Sequence, residues 1–133
     1  MADKRYFPLF VDITGNNCTV IGGGDRAADC VRLLLLCGAH VTVISPQLCA
    51  PLQEAAEKGY VRHLPRKFFR GDCNQAMLCV AATDDRQVNI AVATECKAKN
   101  RPVYVTEPSE YSSFQFPAPL DENAVIPTAW KAP

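Results

Sequence analysis

The chain of 133 residues has no excess of charge of either sign, because 14 lysines and arginines balance 14 aspartates and glutamates. This balance excludes the strong positive field with which many proteins attract nucleic acid. No apolar run is long enough to span a bilayer, and the N-terminus lacks the apolar core of a signal peptide. We therefore expect a soluble cytoplasmic protein with no nucleic-acid partner and no membrane partner.

Metal-binding spacings are also missing from the sequence. There are only two histidines, His40 and His63, and none of the seven cysteines forms a C-x-x-C pair. Cys18, Cys30 and Cys79 lie in apolar segments, where a thiol usually acts as a small buried hydrophobe in a reducing compartment. We expect no metal site, and a redox or metal role for the cysteines is the less favoured alternative.

Strand-like and helix-like patterns alternate along the chain after an apolar lead-in at 6–13, which contains Pro8 and suits an edge segment or a packed lead-in. The expected strands are 18–21, 40–45, 60–64, 77–82 and 102–106. Such alternation predicts an α/β fold of the Rossmann type, a doubly wound parallel sheet with helices on both faces. We expect one domain over residues 1–133, with 117–133 as a divergent tail.

A glycine-rich turn at 22–27 joins the first expected strand to the first expected helix. It fits the fingerprint G-x-G-x-x-(G/A) at Gly22, Gly24 and Ala27, which permit a tight turn, close approach of a pyrophosphate and close packing of the helix. The helix N-terminus adds free N–H groups and the positive end of its dipole. The turn therefore predicts a nucleotide site, and the alternative is a glycine-rich turn that binds nothing.

Three segments are expected to converge at the carboxyl edge of the sheet, namely 22–26, 82–85 and 106–107. The acidic residue that usually ends the second strand and holds the ribose is missing, since Ser45 and Pro46 stand there. Taken alone, this absence argues against a dinucleotide.

The helix after the fourth strand has a recognisable start. Asp84 with Gln87 fits a capping box. The face expected to be buried comprises Val88, Ala91, Val92 and Cys96.

Several motifs occur in one order over residues 5–120 and together carry a resemblance. They are Leu9-Phe10 before a short turn, Val20-Ile21-Gly22-Gly23-Gly24-Asp25, Arg32-Leu33-Leu34-Leu35 with Gly38-Ala39, Ala81-Ala82-Thr83-Asp84-Asp85 with Val88-Asn89, and Ser113-Phe114 with Phe116-Pro117. This order resembles the precorrin-2 dehydrogenase family, also found as the amino-terminal part of siroheme synthases. The resemblance implies NAD-dependent oxidation of precorrin-2 to sirohydrochlorin on the route to sirohaem.

The resemblance also implies the positions of the cofactor contacts. The pyrophosphate would lie at Gly22, Gly23, Gly24, Asp25 and Arg26, the adenosine ribose near Ser45, Pro46 and Gln47, and the nicotinamide beside Ala82, Thr83 and Asp84. The family does not use the ribose-binding acid, which removes the objection raised above. For Thr83 and Asp84 the alternative is plain helix capping. NAD is favoured over NADP, although Ser45 would not repel a 2′-phosphate and Arg26 could attract one.

The chain departs from the family pattern in several places. The family commonly ends the fifth strand in N-V-x-D, whereas this chain has Tyr104, Val105, Thr106 and Glu107, so Glu107 is the expected acid-base group. Asp29-Cys30 replaces a basic pair in the first helix. The family's helical dimerisation region does not follow in this sequence. We therefore expect the chain to be either part of a longer protein or a reduced member of the family. We also expect it to dimerise poorly, although a homodimer is possible.

The implied substrate is a polycarboxylate tetrapyrrole, so its site should offer cations. Arg66 and Lys67, in the loop after the third strand, are the favoured contributors. A second basic cluster at 97–101 lies at the end of its helix that is opposite to the carboxyl ends of the strands, which argues against a role in substrate binding. For both clusters the alternative is a solvated surface.

Two classes of function stay open. The first is a working NAD-dependent dehydrogenase, and the second is a non-catalytic dinucleotide- or tetrapyrrole-binding module derived from the same family. A methyltransferase is a weaker third, because it normally needs an acid after the second strand.

Overall fold

The computed structural model describes residues 4–117. Its elements are β1 (Asn17–Ile21), α1 (Asp25–Leu36), β2 (His40–Ile44), α2 (Ala50–Glu57), β3 (Val61–Leu64), β4 (Leu78–Ala81), α3 (Arg86–Ala98), β5 (Val103–Val105) and a 3₁₀ turn at Ser109–Tyr111. Nearly all of the expected tail at 117–133 lies outside the described residues. None of the described helices is both long and apolar enough to cross a membrane.

The five strands form one parallel sheet in the order β3-β2-β1-β4-β5. Strands β1, β2 and β3 follow one another outward on one side of the sheet. The chain then places β4 on the other side of β1, and β5 lies beyond β4. The strand order therefore reverses between β1 and β4. This arrangement confirms the expected Rossmann-like α/β fold, and it makes the carboxyl ends of β1 and β4 the place where ligands of such sheets bind.

The core has two parts, one on each face of the sheet. One part contains the buried side chains of α1 and Leu52 of α2, and the other contains the buried side chains of α3. Successive strand residues alternate between them, so Val20 faces α1 while Ile21 faces the side of α3. Because both faces are covered, the central strand β4 is a continuous apolar run, whereas the edge strand β3 is not.

Two glycines end helices in the way the sequence predicts. Gly38 has φ +83° and follows α1, and Gly59 has φ +77° and follows α2. The N–H of Ala39 donates to the carbonyl of Leu34, and the N–H of Tyr60 donates to the carbonyl of Ala55. Both glycines thus adopt the left-handed conformation that closes a helix at little steric cost.

The start of α3 differs from the expectation by one residue. The N-cap is Asp85, not Asp84, because the Asp85 carboxylate accepts hydrogen bonds from the N–H groups of Gln87 and Val88 at 2.9 and 3.4 Å. The Thr83 hydroxyl accepts the N–H of Asp85 at 3.2 Å, which sets the turn that leads into the helix. The expected capping box from Asp84 is therefore wrong.

The buried face of α3 also differs from the expectation. Its fully buried residues are Asn89, Val92, Ala93 and Cys96, whereas Ala91 is exposed and Val88 is half-buried. Each residue turns about 100° around a helix axis, so a small error in choosing the central residue rotates the assigned face. Asn89, which the apolar periodicity does not include in the expected face, lies inside.

The lead-in at 6–13 is neither a strand nor well packed. Only Ile13 is buried, while Phe7 and Leu9 are 83% and 70% exposed. Pro8 removes a backbone donor from the middle of the segment, which opposes strand pairing. Both expectations for this segment are therefore wrong within residues 4–117.

Candidate functional site

Gly22 lies at the end of β1, where the backbone passes close to the segment after β4. A Cβ added to Gly22 would lie 2.4 Å from the carbonyl oxygen of Ala82, and Gly22 has φ +128°. The N–H of Ala82 donates to the carbonyl of Ile21 at 2.8 Å. Only glycine fits both the space and the backbone angle, so the floor of the crevice between β1 and β4 is made of main chain.

Gly23 is required for a different contact, one that the fingerprint does not predict. A Cβ at Gly23 would lie 2.0 Å from the carbonyl oxygen of Gln47 and 2.7 Å from Ser45 Oγ. The N–H of Cys49 also donates to the Gly23 carbonyl at 2.7 Å. The turn after β2 therefore packs directly on the glycine turn, and the two turns form one continuous wall.

Gly24 is the N-cap of α1 and has open space in front of it. No side chain caps the helix, and a Cβ built on Gly24 would meet no atom within 4 Å. The first N–H groups of α1 therefore point towards unfilled space at the positive end of the helix dipole. Asp25 and Arg26 are exposed in the first turn. This cradle fits a pyrophosphate, which needs N–H donors and close access to the backbone.

The turn after β2 is held by two hydrogen bonds. Ser45 Oγ donates to the carbonyl of Gln47 at 2.7 Å, and His63 Nε2 donates to the carbonyl of Ser45 at 2.8 Å. A cavity of about 590 Å³ opens beside this turn, with Pro46, Gln47 and His63 in its lining. The cavity lies where the resemblance places the adenosine end of the cofactor, and the contacts of Ser45, Pro46 and Gln47 with a cofactor stay predictions.

On the other side of the crevice, Asn89 joins the segments that follow β4 and β5. Its side chain is fully buried, and Oδ1 accepts hydrogen bonds from the N–H and hydroxyl groups of Thr83 at 3.1 and 2.7 Å. Its Nδ2 donates to the carbonyls of Thr83 and Glu107 at 3.1 and 2.8 Å. The four bonds use both acceptor lone pairs and both donors of this amide. Asn89 thus fixes the distance between the two segments.

Glu107 follows β5, and its carboxylate is held by a residue that sequence reasoning missed. Arg86 Nη1 donates to Glu107 Oε1 at 2.6 Å, and both side chains are more than half exposed. The carboxylate therefore stands at the open edge of the crevice, with its position restrained by one charged hydrogen bond. Arg86 directly follows the N-cap of α3. The expected start of this helix was therefore the one sequence signal that could have pointed to Arg86.

Tyr104 occupies the position of the family's asparagine and packs away from the carboxyl edge. Its ring centroid lies 5.0 Å from that of Phe116 and 6.2 Å from that of Phe114. Burial, with a smaller contribution from the Cys30 thiol, raises the pKa of Tyr104. The substitution therefore adds to the core on the α1 side and offers no group to the crevice.

The two basic residues assigned to the substrate differ in their surroundings. Both are exposed, but Arg66 forms two parallel hydrogen bonds of 2.9 Å with the carboxylate of Asp72. They follow β3, an edge strand separated from β1 by β2. The structure thus brings neither of them to the crevice floor, and their role in substrate binding stays a prediction.

Together these features define a class of protein. The reversed strand order, the main-chain floor of the crevice and the uncapped helix N-terminus are the parts of a Rossmann-type dinucleotide-binding domain. A family model described as "Putative NAD(P)-binding" matches residues 9–118. The chain belongs to this NAD(P)-binding family.

Curated relatives of the chain include siroheme synthases, which narrow the family description. The siroheme synthase of Methylobacillus flagellatus is 39% identical over 119 residues, and that of Chromobacterium violaceum is 36% identical over 122 residues. These matches cover 90% and 92% of this chain but 26% of each relative. The chain thus spans about a quarter of the length of the curated relatives it matches.

A solved structure supports the same relationship. "SirC, precorrin-2 dehydrogenase" aligns with a TM-score of 0.76 and 27% sequence identity, over 85% of this chain and 55% of that one. The resemblance to the precorrin-2 dehydrogenase family and the amino-terminal part of siroheme synthases is therefore confirmed.

Proposed function

We propose that the chain oxidises precorrin-2 to sirohydrochlorin with NAD, in sirohaem synthesis. The observation that carries the proposal is the meeting of the glycine turn, the segment after β4 and Glu107 at one edge of the sheet. The similarity to siroheme synthases and to a precorrin-2 dehydrogenase supports this substrate. The proposal places the protein in the cytoplasm, where the cofactor is available.

The residues of the cradle fit a nicotinamide dinucleotide. The N–H groups at the start of α1 would bind the pyrophosphate, the turn at 45–47 would carry the adenosine, and Ala82 with Thr83 would line the nicotinamide side. When bound, NAD supplies the hydride acceptor. We propose NAD over NADP because no cation of the turn at 45–47 faces a 2′-phosphate. A side-by-side titration with both cofactors tests this preference, and tighter binding of NADP would overturn it.

Glu107 would accept the proton that the substrate loses. Oxidation by a nicotinamide removes one hydride and releases one proton, so a base near the reacting carbon must take that proton or pass it to water. Glu107 is the carboxylate that stands beyond the end of β5, and Arg86 holds it at the open edge. The substrate carboxylates would be met by Arg66 and Lys67.

The decisive experiment compares the parent chain with Glu107→Ala and Glu107→Asp. Each protein receives precorrin-2 and NAD, and sirohydrochlorin is followed by its absorbance. We expect the alanine variant to lose about 10²–10⁴ in rate while it still binds NAD. The aspartate variant should keep or raise the rate, because it restores the family's own carboxylate. An alanine variant as fast as the parent would remove Glu107 from the mechanism.

One observation favours the alternative, a binding module without turnover. Among residues 4–117 we assign proton transfer to Glu107 alone. Its carboxylate is already bonded to Arg86 at 2.6 Å. A parent chain that binds NAD and sirohydrochlorin but forms no product would establish this alternative. A parent chain that binds neither ligand would exclude both functions.

A further inference from the structure

Three cysteines far apart in the sequence meet on the α3 side of the sheet. Cys79 belongs to β4, Cys96 to α3 and Cys73 to the loop that precedes β4. All three have no solvent exposure, and their sulfur atoms lie within 4.8 Å of one another. The separations of 6 and 17 positions match no familiar motif, so the sequence alone gives no sign of this cluster.

The backbone around the cluster is held by contacts that do not involve sulfur. The N–H of Cys73 donates to Glu95 Oε2 at 3.2 Å, and the N–H of Gly71 donates to Glu95 Oε1 at 3.0 Å. Glu95 therefore fastens the loop to α3 beside Cys96. The N–H of Cys79 donates to the carbonyl of Pro102, which fixes it within the sheet. The three sulfur atoms are thus brought together by a scaffold that would remain if the thiols lost their protons.

The thiols are not three equivalent buried hydrophobes. Hydrogen bonds donated by the thiols of Cys73 and Cys79 lower the pKa of Cys96, and the positive charge of Lys99 acts in the same direction. The pKa of Cys73 is raised, chiefly by its hydrogen bonds with the other two cysteines. Cys96 is therefore the sulfur that accepts the hydrogen bonds within the cluster.

A positive group also stands beside the loop. Arg101 Nη2 donates to the carbonyl of Asn74, the residue after Cys73, at 3.0 Å. The Nε of Arg101 is buried and has no hydrogen-bond partner among residues 4–117. Arg101 as a whole is half-buried, and a cation beside this loop would offset part of the negative charge that the sulfur atoms acquire when they ionise.

We propose that Cys73, Cys79 and Cys96 form a trigonal thiolate site for a soft metal ion, with Cu(I) as the best-fitting ion. A metal–sulfur distance of about 2.3 Å requires sulfur atoms about 4.0 Å apart in a trigonal plane, which the cluster allows. No fourth histidine, cysteine or carboxylate joins the group within the described part of the chain. A structural zinc site has four protein ligands, a three-ligand zinc site adds a water that these fully buried sulfur atoms exclude, and hard ions bind oxygen, whereas soft ions select thiolates.

Binding would exchange protons for the metal without a change of oxidation state. Each thiol that coordinates Cu(I) releases its proton to solvent, and a site of three thiolates with one Cu(I) carries two negative charges. This inference does not depend on the proposed dehydrogenase activity, because the cluster lies on the α3 side of the sheet and not in the crevice.

The test uses the whole chain, reduced and free of oxygen, titrated with Cu(I) in the presence of the competing chelator bicinchoninate. We expect one strongly bound Cu(I) per chain, a higher melting temperature and an X-ray absorption spectrum with three sulfur neighbours. Failure to take Cu(I) from the chelator would overturn the proposal. A spectrum with two sulfur neighbours would overturn the trigonal geometry.

Variants separate the cluster from the other cysteines. Cys37→Ser with Cys49→Ser removes the two cysteines that are not buried and should leave binding intact. Cys30→Ala removes a buried thiol on the opposite side of the sheet and should also leave it intact.

Each of Cys73→Ala, Cys79→Ala and Cys96→Ala should weaken binding by more than about 100-fold, because loss of an outer-shell partner alone costs about 10–100-fold. Cys73 lies on a loop, so its variant serves if the two core variants fail to fold. A folded Cys73→Ala variant that keeps the parent affinity would refute the site.

Discussion

Arg86 Nη1 lies 2.6 Å from Glu107 Oε1, so the first residue of α3 is bonded to the carboxylate two positions beyond β5. Both side chains are more than half exposed, and pairs of this kind stabilise a fold by at most about 1 kcal/mol. The consequence of the pair lies in orientation, because it selects one direction for a glutamate that is otherwise free to turn.

Arg86→Gln tests whether that orientation serves catalysis. We expect kcat with precorrin-2 to fall by about 10–100-fold, since small displacements of a reacting group are costly. The KM for NAD should stay the same, and the free energy of unfolding should change by less than about 1 kcal/mol. Arg86→Lys should restore part of kcat. A rise in kcat in Arg86→Gln would mean that the ion pair restrains Glu107 and does not assist it.

Gly24→Asp should separate cofactor binding from stability. The added carboxylate would cap α1 and bring a negative charge to its N-terminus, which should raise stability by a few tenths of a kcal/mol. The same carboxylate would occupy the donors proposed for the pyrophosphate, so NAD affinity should fall sharply. Calorimetric titration and thermal melting measure the two effects. Equal NAD affinity in the parent and the variant would place the cofactor elsewhere.

The adjacent glycines Gly23 and Gly24 should differ in how much stability their replacement by alanine costs. Gly23→Ala would place a Cβ 2.0 Å from the Gln47 carbonyl, and the backbone must move to relieve this clash. We expect a loss of about 1–3 kcal/mol in the free energy of unfolding. Gly24→Ala meets no atom within 4 Å, so it should cost only the loss of a preferred N-cap residue, less than about 1 kcal/mol. Urea unfolding of both proteins gives the comparison, and equal stabilities would contradict the packing of the two turns.

Asn89→Asp should destabilise the protein in a pH-dependent way. The variant keeps an acceptor for Thr83 but loses the donor to the Glu107 carbonyl, and each unpaired buried group costs about 1–3 kcal/mol. Burial raises the pKa of a carboxyl. The unfolded chain then binds fewer protons than the folded one above about pH 4, so stability should fall as pH rises through the folded value.

Unfolding of the parent and Asn89→Asp between pH 4 and 8 measures this difference. The gap between the two proteins should widen with pH. A gap that stays constant would mean that the variant's carboxyl reaches solvent, and the buried network would then be less rigid than the four hydrogen bonds of Asn89 indicate.

Arg66 pairs with Asp72 and is also proposed to bind the substrate, and its partner Asp72 distinguishes these two roles. Partial burial raises the pKa of Asp72, but hydrogen bonds from Arg66 and the Phe69 N–H lower it more, so the pKa lies below the usual 3.8. Stability from this pair is therefore present above about pH 4 and is lost as pH falls through the folded value. Arg66→Gln should remove that part of the acid sensitivity.

For substrate binding, Arg66→Gln with Lys67→Gln should lower the affinity for sirohydrochlorin and its dependence on salt. Asp72→Asn keeps both cations and frees Arg66, so it should raise the affinity if Arg66 meets the substrate. Unchanged affinity in both proteins would show that the loop has no part in binding.

The sequence was sufficient for the fold because the decisive signals are local. A glycine such as Gly38 ends a helix through its own backbone angle, and a run such as 77–82 is apolar because both of its faces are covered. These properties depend on few neighbours. The carboxyl-edge convergence followed from the parallel sheet alone, and the contact between Gly22 and Ala82 confirms it.

The parts that sequence could not supply depend on distant partners or on single-residue register. Neighbouring aspartates at 84 and 85 are equivalent as helix caps until the Thr83 turn selects one of them. Asn89 is polar, so apolar periodicity does not place it in the core, and four hydrogen bonds make its burial possible. Arg86 and Glu107 are 21 positions apart, and only the packing of α3 beside β5 brings them together.

The main-chain floor at Gly22 and Ala82 has an evolutionary consequence. Affinity that comes from backbone groups survives most changes of side chain, whereas the proton transfer proposed for Glu107 would depend on one side chain. Descendants of such a domain can therefore lose their chemistry by one substitution and still hold the ligand. The reverse step is equally short, so catalysis and ligand binding in this lineage are separate traits that selection can lose and regain independently.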